Sequence, residues 1–243
     1  MDRNSALKRQ AVKIAGSLTV VSPSRWLRQA SEASAVLSGF RHLTIPNGFD
    51  TSVFRVRSKT LARDVFNLPN DKKILVFVAD AVANHRKGLH FLLRALDGIK
   101  DDSLMLCVVG SIDPGLGQSF HHLGRIHDEA LMSLAYAGAD AIVIPSREDN
   151  LPNTMIESLL CGTPVIGLPV GGIAETIRDG FNGKRSADIS VDALRQAIAD
   201  FVATPRSWDS AAISKDAAWQ FDERRQAQAY LGLYQEILES KRR

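Results

Sequence analysis

The sequence predicts an α/β fold, a doubly wound parallel sheet with helices on both faces, and three observations support it. Short apolar runs at residues 73–79 (KILVFVA), 104–109 and 141–144 have the continuous hydrophobicity of strands buried on both faces. Segments with apolar side chains at helical spacing lie between them, as in residues 88–98. Strands that alternate with such helices are typical of β-α-β units, and no internal repeat competes with this pattern, so we expect a Rossmann-like sheet.

The first part of the chain predicts two short strands, each with a helix beside it. Pro46, Asn47 and Gly48 then force a turn, and residues 55–72 are basic and polar, which indicates a connection with a short helix. Arginines flank Trp26 and favour partial exposure of its ring. The expected helices are residues 1–16 and 25–38, and the expected strands are residues 18–21 and 43–45.

From residue 73 onward, strands and helices alternate regularly. Asp128 is the predicted N-cap of one helix, and Gly162 is expected to end the next. Residues 182–183 (Asn-Gly) indicate a turn. The expected strands are residues 73–79, 104–109, 120–126, 141–144 and 164–166, and the expected helices are residues 88–98, 128–137, 154–160, 171–179, 191–202 and 220–238.

Composition excludes several classes of protein. Hydrophobic residues make up 45% and charged residues 23% of 243, which is typical of a globular chain. A net charge of +3 is too small to indicate a nucleic-acid partner, and no stripe of basic and aromatic residues suggests one. Cys107 and Cys161 each lie in an apolar segment without a nearby cysteine, so we expect buried thiols and no oxidising compartment.

The N-terminal segment bears on location. No apolar run reaches the roughly 18 residues of a membrane span, and no signal-peptide core follows the first charges, so a cytoplasmic location is expected. Lys8, Arg9 and Lys13 make this segment basic and weakly amphipathic. A solvated helix face explains them better than a peripheral contact with the inner face of a membrane, which stays an alternative.

The rest of the chain is organised around residues 141–167, which predict a strand, a loop, a helix and a second strand. The loop, residues 145–152, is polar and contains two prolines. It lies at the carboxyl end of a parallel strand, where doubly wound sheets bind ligands. It also opens onto a helix N-terminus, whose amides and dipole favour an anion such as a phosphate.

Two carboxylates flank this loop, Asp149 and Glu157, with seven residues between them. From the spacing alone, Glu157 is best explained as a capping box with Thr154, and Asp149 as a solvated loop acid. Short motifs are weakly specific, so the spacing alone favours these explanations over a ligand-binding role.

A basic pair follows the first strand of the larger sheet. Arg86 and Lys87 lie in a loop before a helix, again at the carboxyl end of a strand. Such a pair can neutralise a diphosphate. On these residues alone, a solvated surface pair is the better explanation.

Residues 145–167 (PSREDNLPNTMIESLLCGTPVIG) resemble the donor-site segment of retaining glycosyltransferase family 4, which has the GT-B fold. The family pattern is an acid, seven residues, a glutamate, a small-residue helix end and Gly-x-Pro-Val. Lys87 followed by Gly88 also matches a family position. The resemblance runs from residue 18 to residue 234 and is most specific over residues 141–175.

The resemblance implies roles for the site residues. Glu157 would hold the ribose hydroxyls of a sugar nucleotide, and Asp149 would contact the transferred sugar. The catalytic set is then Arg86, Lys87, Asp149 and Glu157, in which the two cations stabilise the leaving diphosphate. The expected substrate-binding residues are Gly110, Ile126, Glu148, Asn150, Leu151, Asn153 and Thr154, of which the last two offer amides to the diphosphate and the backbone around Ile126 lies near the base.

The sequence departs from the family pattern at three places. Asp149 stands where a glutamate is frequent, although Glu148 beside it can substitute. Pro152 stands where a glycine is common, and proline has no N–H to donate. The usual arginine near Asp80 is missing, and Arg86 is expected to replace it.

No metal or other cofactor is expected. The chain has no D-x-D motif, and its histidines lack the spacing of metal ligands. The cluster of His121, His122 and His127 is better explained as surface histidines than as a catalytic histidine. Residues 110–120 (GSIDPGLGQSF) and 180–186 (GFNGKRS) contain glycines but match neither a dinucleotide fingerprint nor a P-loop. Glu175 matches a family position that we interpret as structural.

The resemblance implies the donor-binding half of an enzyme that transfers a hexose from a nucleotide-diphosphate sugar to an acceptor hydroxyl with retention, in polysaccharide or glycolipid synthesis. No covalent nucleophile is expected. The predicted domains are a remnant of the acceptor domain (1–50), a nucleotide-sugar-binding domain (51–220) and a helix packing back towards the first (221–243). Two alternatives stay open: a non-catalytic sugar-nucleotide-binding subunit or fragment, and a GT-B-type epimerase.

The expected partners follow from this interpretation. They are a nucleotide-diphosphate sugar as donor and a carbohydrate or lipid-linked acceptor. The terminal helix is expected to expose Leu231, Leu233 and Ile237. It would then self-associate or bind a partner that supplies the acceptor domain.

Overall fold

The computed structural model describes residues 3–14, 17–81, 85–111, 120–204 and 208–240. Its helices and strands alternate along most of the chain. They are α1 (Arg3–Ile14), β1 (Thr19–Ser22), α2 (Arg25–Glu32), β2 (Arg41–Thr44), α3 (Lys59–Val65), β3 (Lys73–Ala81), α4 (Leu89–Leu96), β4 (Leu104–Ser111), β5 (His121–Gly124), α5 (Glu129–Gly138), β6 (Ala141–Ile144), α6 (Asn153–Leu160), β7 (Val165–Gly167), α7 (Gly171–Thr176), β8 (Gly183–Arg185), α8 (Val191–Ala203), α9 (Ser210–Phe221) and α10 (Glu223–Ser240).

Six strands form one parallel sheet in the order β5-β4-β3-β6-β7-β8. The chain winds from β3 outward to β5, and then returns to add β6, β7 and β8 on the other side of β3. The direction of winding therefore reverses between β3 and β6. In a doubly wound sheet this switch point opens a crevice at the carboxyl ends of the two strands.

The core lies on both faces of this sheet. All four residues of β6 are buried, as the apolar run predicts for a strand covered on both sides. The helices pack in two groups, with α4 against α8 in one and α3, α5, α6 and α9 in contact in the other. The predicted α/β class with a parallel sheet is therefore confirmed.

The N-terminal part forms a separate two-stranded parallel sheet, β1 with β2, connected through α2. Helix α2 packs against α7, where the Glu175 carboxylate accepts hydrogen bonds from the amides of Arg25 and Trp26. Glu175 thus has the structural role that the sequence indicates. Arg41 of β2 forms an ion pair of 2.7 Å with Glu236, so α10 contacts this part of the chain.

Several predicted bounds were wrong. Helix α2 ends at Glu32 rather than at residue 38, and α7 ends at Thr176 rather than near residue 179. Strand β8 begins at Gly183, where a turn was expected, and α9 was not expected at all.

The predicted exposure of Leu233 on the terminal helix was also wrong, because its side chain is only 6% exposed.

Two other predictions, the helix cap at Asp128 and the burial of both cysteines, are confirmed. Asp128 caps α5 by accepting a hydrogen bond from the Leu131 amide. Both cysteines are buried. Within the described ranges, no helix has the length and apolar character to cross a membrane. The glycine-containing stretch at residues 112–119 lies outside the described residues.

Candidate active site

Two loops meet at the switch point, residues 85–88 after β3 and residues 145–152 after β6. The Arg147 amide donates a hydrogen bond of 3.3 Å to the Arg86 carbonyl oxygen. Gly88 has a φ of +80°, and a Cβ there would lie 2.2 Å from the carbonyl oxygen of Pro145. Only glycine therefore allows this approach.

Lys87 and Asp149 join the two loops. The Lys87 ammonium donates a hydrogen bond of 2.9 Å to Oδ2 of Asp149, and the two side chains are 32% and 16% exposed. The cation expected at the diphosphate and the carboxylate expected at the sugar thus lie together. Arg86 and Glu148, their sequence neighbours, are both exposed at the same edge of the sheet.

The N-terminus of α6 opens beside this ion pair. The helix begins at Asn153, and the amides of Met155 and Ile156 donate to the carbonyl oxygen of Pro152. The amides of Asn153 and Thr154 belong to the first turn of the helix, where amides have no acceptor within the helix itself. This turn is therefore suited to an anion.

Glu157 of α6 is hydrogen-bonded to a residue of a neighbouring helix. Its Oε2 accepts a hydrogen bond of 2.6 Å from the hydroxyl of Tyr136 on α5. The capping-box explanation of Glu157 is therefore wrong, because Pro152 is the N-cap and makes no side-chain cap bond. Asn153 also has a side-chain partner, since its Oδ1 accepts a hydrogen bond of 3.0 Å from Asn47.

The environment of Glu157 shifts its titration. Burial raises the pKa of the carboxyl group above its usual 4.5, the Tyr136 hydrogen bond lowers it, and the charge of Glu129 raises it. Burial and the neighbouring carboxylate raise the pKa of Tyr136 well above its usual range, so the phenol stays protonated and donates. Oε2 is thus committed to Tyr136, and Oε1 is the oxygen that can serve a ligand.

The middle of the loop is fixed by α2 and α7. Oδ1 of Asn150 accepts a hydrogen bond of 2.5 Å from Ser24, and its carbonyl oxygen accepts one of 2.5 Å from the Gly172 amide. Gly171 has a φ of +47°, and a Cβ there would lie 1.8 Å from the carbonyl oxygen of Asp149. Leu151 is buried in the hydrophobic core, so its side chain anchors the loop.

The two remaining predicted residues lie on the other side of β3. Gly110 is the penultimate residue of β4 and has a φ of +136°. Its carbonyl oxygen lies 2.7 Å from Nε2 of His122. Ile126 follows β5 and packs partly buried against the core. All three clustered histidines, His121, His122 and His127, are exposed.

Tyr136 and Ser24 were not identified from the sequence. Tyr136 lies 21 residues before Glu157, and Ser24 lies 126 residues before Asn150. The one local signal is that Tyr136 lies in a mostly apolar helix, because the hydroxyl of a buried tyrosine usually requires a hydrogen-bond partner. In the part of the chain that the structure describes, no group of three or more His, Cys, Asp or Glu is arranged to hold a metal ion.

Comparison with known proteins identifies similar sequences. The family described as "Glycosyl transferases group 1" matches residues 72–204. Glycogen synthase 2 of Bradyrhizobium diazoefficiens is 28% identical over 264 aligned residues, which cover 100% of this chain and 52% of that protein. Glycogen synthase of Rhodopseudomonas palustris is also 28% identical and aligns with 93% of this chain and 57% of its own length. The chain thus spans about half the length of these relatives.

Solved structures share the fold. Sucrose-phosphate synthase from Thermosynechococcus elongatus superposes with a TM-score of 0.80 at 23% identity, over 98% of this chain and 63% of that one. A glycosyltransferase from Rickettsia africae gives 0.81 at 19% identity, over 98% and 68%. Anabaena HepE in complex with UDP-glucose gives 0.74 at 20% identity, over 95% and 68%.

Proposed function

Because the chain belongs to the group 1 glycosyl transferases, we propose that its switch-point crevice binds a nucleotide-diphosphate sugar and supports transfer of the sugar to an acceptor hydroxyl with retention. The observation that carries the proposal is the Lys87–Asp149 ion pair, which joins the two switch-point loops beside the first turn of α6. This arrangement brings a cation, a carboxylate and the N-terminus of a helix together.

Each group has a role in this proposal. Glu157 accepts hydrogen bonds from the ribose hydroxyls through Oε1, while Asp149 binds hydroxyls of the transferred sugar. The glycosidic bond breaks towards the diphosphate, which gains negative charge. Arg86, Lys87 and the amides of Asn153 and Thr154 stabilise that charge and so lower the barrier. Glu148, Asn150 and Leu151 complete the loop around the sugar, and Gly110 and Ile126 lie towards the base.

The relatives suggest which donor to test first. HepE was crystallised with UDP and with UDP-glucose, and its fold matches this chain closely. The curated relatives are glycogen synthases, which supports a glucosyl donor. We therefore propose a nucleoside-diphosphate glucose as donor, and a carbohydrate or lipid-linked hydroxyl as acceptor.

The domain organisation also stays a proposal, with bounds at residues 1–50, 51–220 and 221–243. Helix α10 exposes Leu231, Tyr234 and Leu238 by 59%, 54% and 60%. Residues at this spacing share one helix face. This face suits self-association or a partner that supplies the acceptor domain.

For the location of the protein, we propose the cytoplasm, with a peripheral membrane contact through Lys8 and Arg9 as the alternative.

The direct test is a thermal-shift panel of uridine, guanosine and adenosine diphosphates and their glucose conjugates. A ligand at 100 times its dissociation constant adds about 2.7 kcal/mol to the free energy of unfolding. At this chain length, that corresponds to a rise in Tm of about 5 to 10 °C. We expect one base to give this rise in the wild type, and Glu157→Ala to abolish it.

The matched control is Glu239→Ala, which removes an exposed glutamate at the end of α10 and should keep the rise. The absence of any shift, or an equal shift in Glu157→Ala, would contradict the proposed donor site.

A further inference from the structure

A cavity of about 360 Å³ opens on the α2 side of the 145–152 loop. Its size is within the range of small-molecule sites. Trp26 and Gln29 of α2 form one wall, and Arg147, Glu148 and Asp149 of the loop form the second. Glu175 of α7 closes the third side.

Asp149 connects this cavity to the proposed donor site. Asp149 is one of the residues that line the cavity, and its side chain forms the ion pair with Lys87. A molecule in the cavity would therefore lie beside the sugar that Asp149 is proposed to hold. The position is that of a second reactant, rather than of a distant regulator.

Trp26 gives this cavity an aromatic wall. The residue is 38% exposed, as the flanking arginines predict, and lies in the first turn of α2. Gln29 lies three residues later and so on the same helix face. A pyranose ring has apolar C–H faces and a polar rim of hydroxyls, which match an indole face beside an amide and a carboxylate.

The charges around the cavity favour an uncharged ligand. Asp149 pairs with Lys87 at 2.9 Å, and Glu175 pairs with Arg25 at 3.6 Å. Glu148 and Arg147, which also line the cavity, add one charge of each sign. Three carboxylates thus face three cations, so these residues offer no surplus positive charge to a phosphate group.

The aromatic wall is also held in place. The amides of Arg25 and Trp26 both donate to the Glu175 carboxylate, the first at 3.1 Å. Ser24, the N-cap of α2, donates to Asn150 in the loop. The backbone of Trp26 is therefore fixed against both other walls, and such pre-organisation lowers the entropic cost of binding.

We propose that this cavity is an acceptor subsite for an uncharged saccharide, whose ring stacks on Trp26 while Gln29 and Glu148 bind its hydroxyls. The proposal rests on the proposed function, because it takes the donor sugar to lie at Asp149.

The test is saturation-transfer NMR on the full chain with saturating UDP. The probes are glucose, maltose and N-acetylglucosamine, with glucose 6-phosphate as the charged counterpart. We expect at least one uncharged probe to bind, and Trp26→Ala to weaken it about tenfold or more, which is equivalent to about 1.4 kcal/mol. Trp26→Phe keeps an aromatic face and should stay within about threefold of the wild type.

Trp219→Ala serves as the matched control, because Trp219 is 66% exposed on α9 and does not line the cavity. It should bind the saccharide as the wild type does. The thermal shift with UDP should be unchanged in Trp26→Ala, which separates a lost subsite from a lost fold or donor site.

Three results would overturn the subsite: no uncharged probe binds, Trp26→Ala binds it as well as the wild type, or glucose 6-phosphate binds as tightly as glucose. Failure of the donor proposal has a different signature, since UDP then gives no thermal shift in the wild type. In that case the saccharide titrations are repeated without UDP. Binding to the wild type that Trp26→Ala weakens would support a saccharide site in the cavity, and equal or absent binding would exclude it.

Discussion

The hydroxyl of Tyr136 donates a hydrogen bond of 2.6 Å to Oε2 of Glu157, and this bond joins α5 to α6 behind the proposed donor site. Tyr136 is fully buried. A buried phenol with a raised pKa is a fixed donor, so it orients the carboxylate and leaves one oxygen for a ligand. Tyr136 is therefore a positioning residue for Glu157.

Tyr136→Phe removes this bond and little volume. We expect the affinity for UDP to fall about 5- to 20-fold, because a hydrogen bond to a charged group contributes about 1.5 kcal/mol or more. Isothermal titration calorimetry measures this change. Tyr230→Phe on α10 is the matched control and should bind UDP normally; equal affinities in all three proteins would rule out the positioning role.

The pH dependence of donor binding should report the same pair. Glu157 accepts ribose hydroxyls best when ionised, so the affinity for UDP-glucose should rise as pH increases through its pKa, which burial raises above 4.5. The Tyr136 bond lowers this pKa, so Tyr136→Phe should move the midpoint to higher pH. Calorimetry across pH 4 to 8 checks this, and Glu157→Gln should lose this step; an unmoved midpoint in Tyr136→Phe would contradict the assignment.

The same shift predicts the sign of a stability effect. A carboxyl group whose pKa is raised by folding stabilises the protein most below its unfolded pKa, and this contribution is lost as pH rises through the folded pKa. Glu157→Gln should therefore gain stability relative to the wild type between acidic and neutral pH. Urea denaturation of both proteins at pH 4 and pH 7 measures this change in the free energy of unfolding. The substitution should thus favour stability towards neutral pH, although it weakens donor binding.

Lys87→Met tests the phosphate contact. The substitution removes the charge and keeps most of the length of the side chain, so UDP should bind about tenfold or more weakly while uridine is affected much less. Competition calorimetry with both ligands gives the ratio. Lys215→Met on the exposed surface of α9 is the control, and an equal loss for UDP and uridine would place Lys87 away from the phosphates.

Gly88→Ala should break the contact between the two loops. The new Cβ would lie 2.2 Å from the carbonyl oxygen of Pro145 at a φ of +80°, so we expect a loss of about 2 kcal/mol or more in stability, together with weaker UDP binding. Gly232→Ala on α10 has open space around it and should stabilise the helix by up to about 1 kcal/mol. Thermal denaturation compares the two, and a neutral Gly88→Ala would show that the loops can separate.

Local sequence patterns predicted the centre of the sheet. The apolar runs of β3, β4, β6 and β7 are continuous, because both of their faces are buried. Strand β8 has only Gly183, Lys184 and Arg185, and its pairing with β7 depends on backbone hydrogen bonds that no side-chain pattern reveals. Helix α9 buries Ile213, Ala217 and Phe221, a stripe too narrow and too small to stand out.

The candidate site also has one part that the sequence predicts and one part that it does not. The loop with Asp149 and the start of α6 follow from residues adjacent in sequence, so their order alone places them at a strand end. The side chains that hydrogen-bond to this loop and helix cannot be predicted from the order of residues along the chain. Tyr136 reaches Glu157 through the packing of α5 on α6, and Ser24 reaches Asn150 through the packing of α2 on α7.

The parallel pair β1 and β2 has a consequence for how the protein behaves at high concentration. Each strand is paired on one side only, and the described residues supply no third strand. An outer edge of a two-stranded sheet carries backbone donors and acceptors to which another extended segment can add. Short β-strand peptides should compete with any polypeptide that extends this sheet, and unwanted oligomers of the purified chain should begin at these edges.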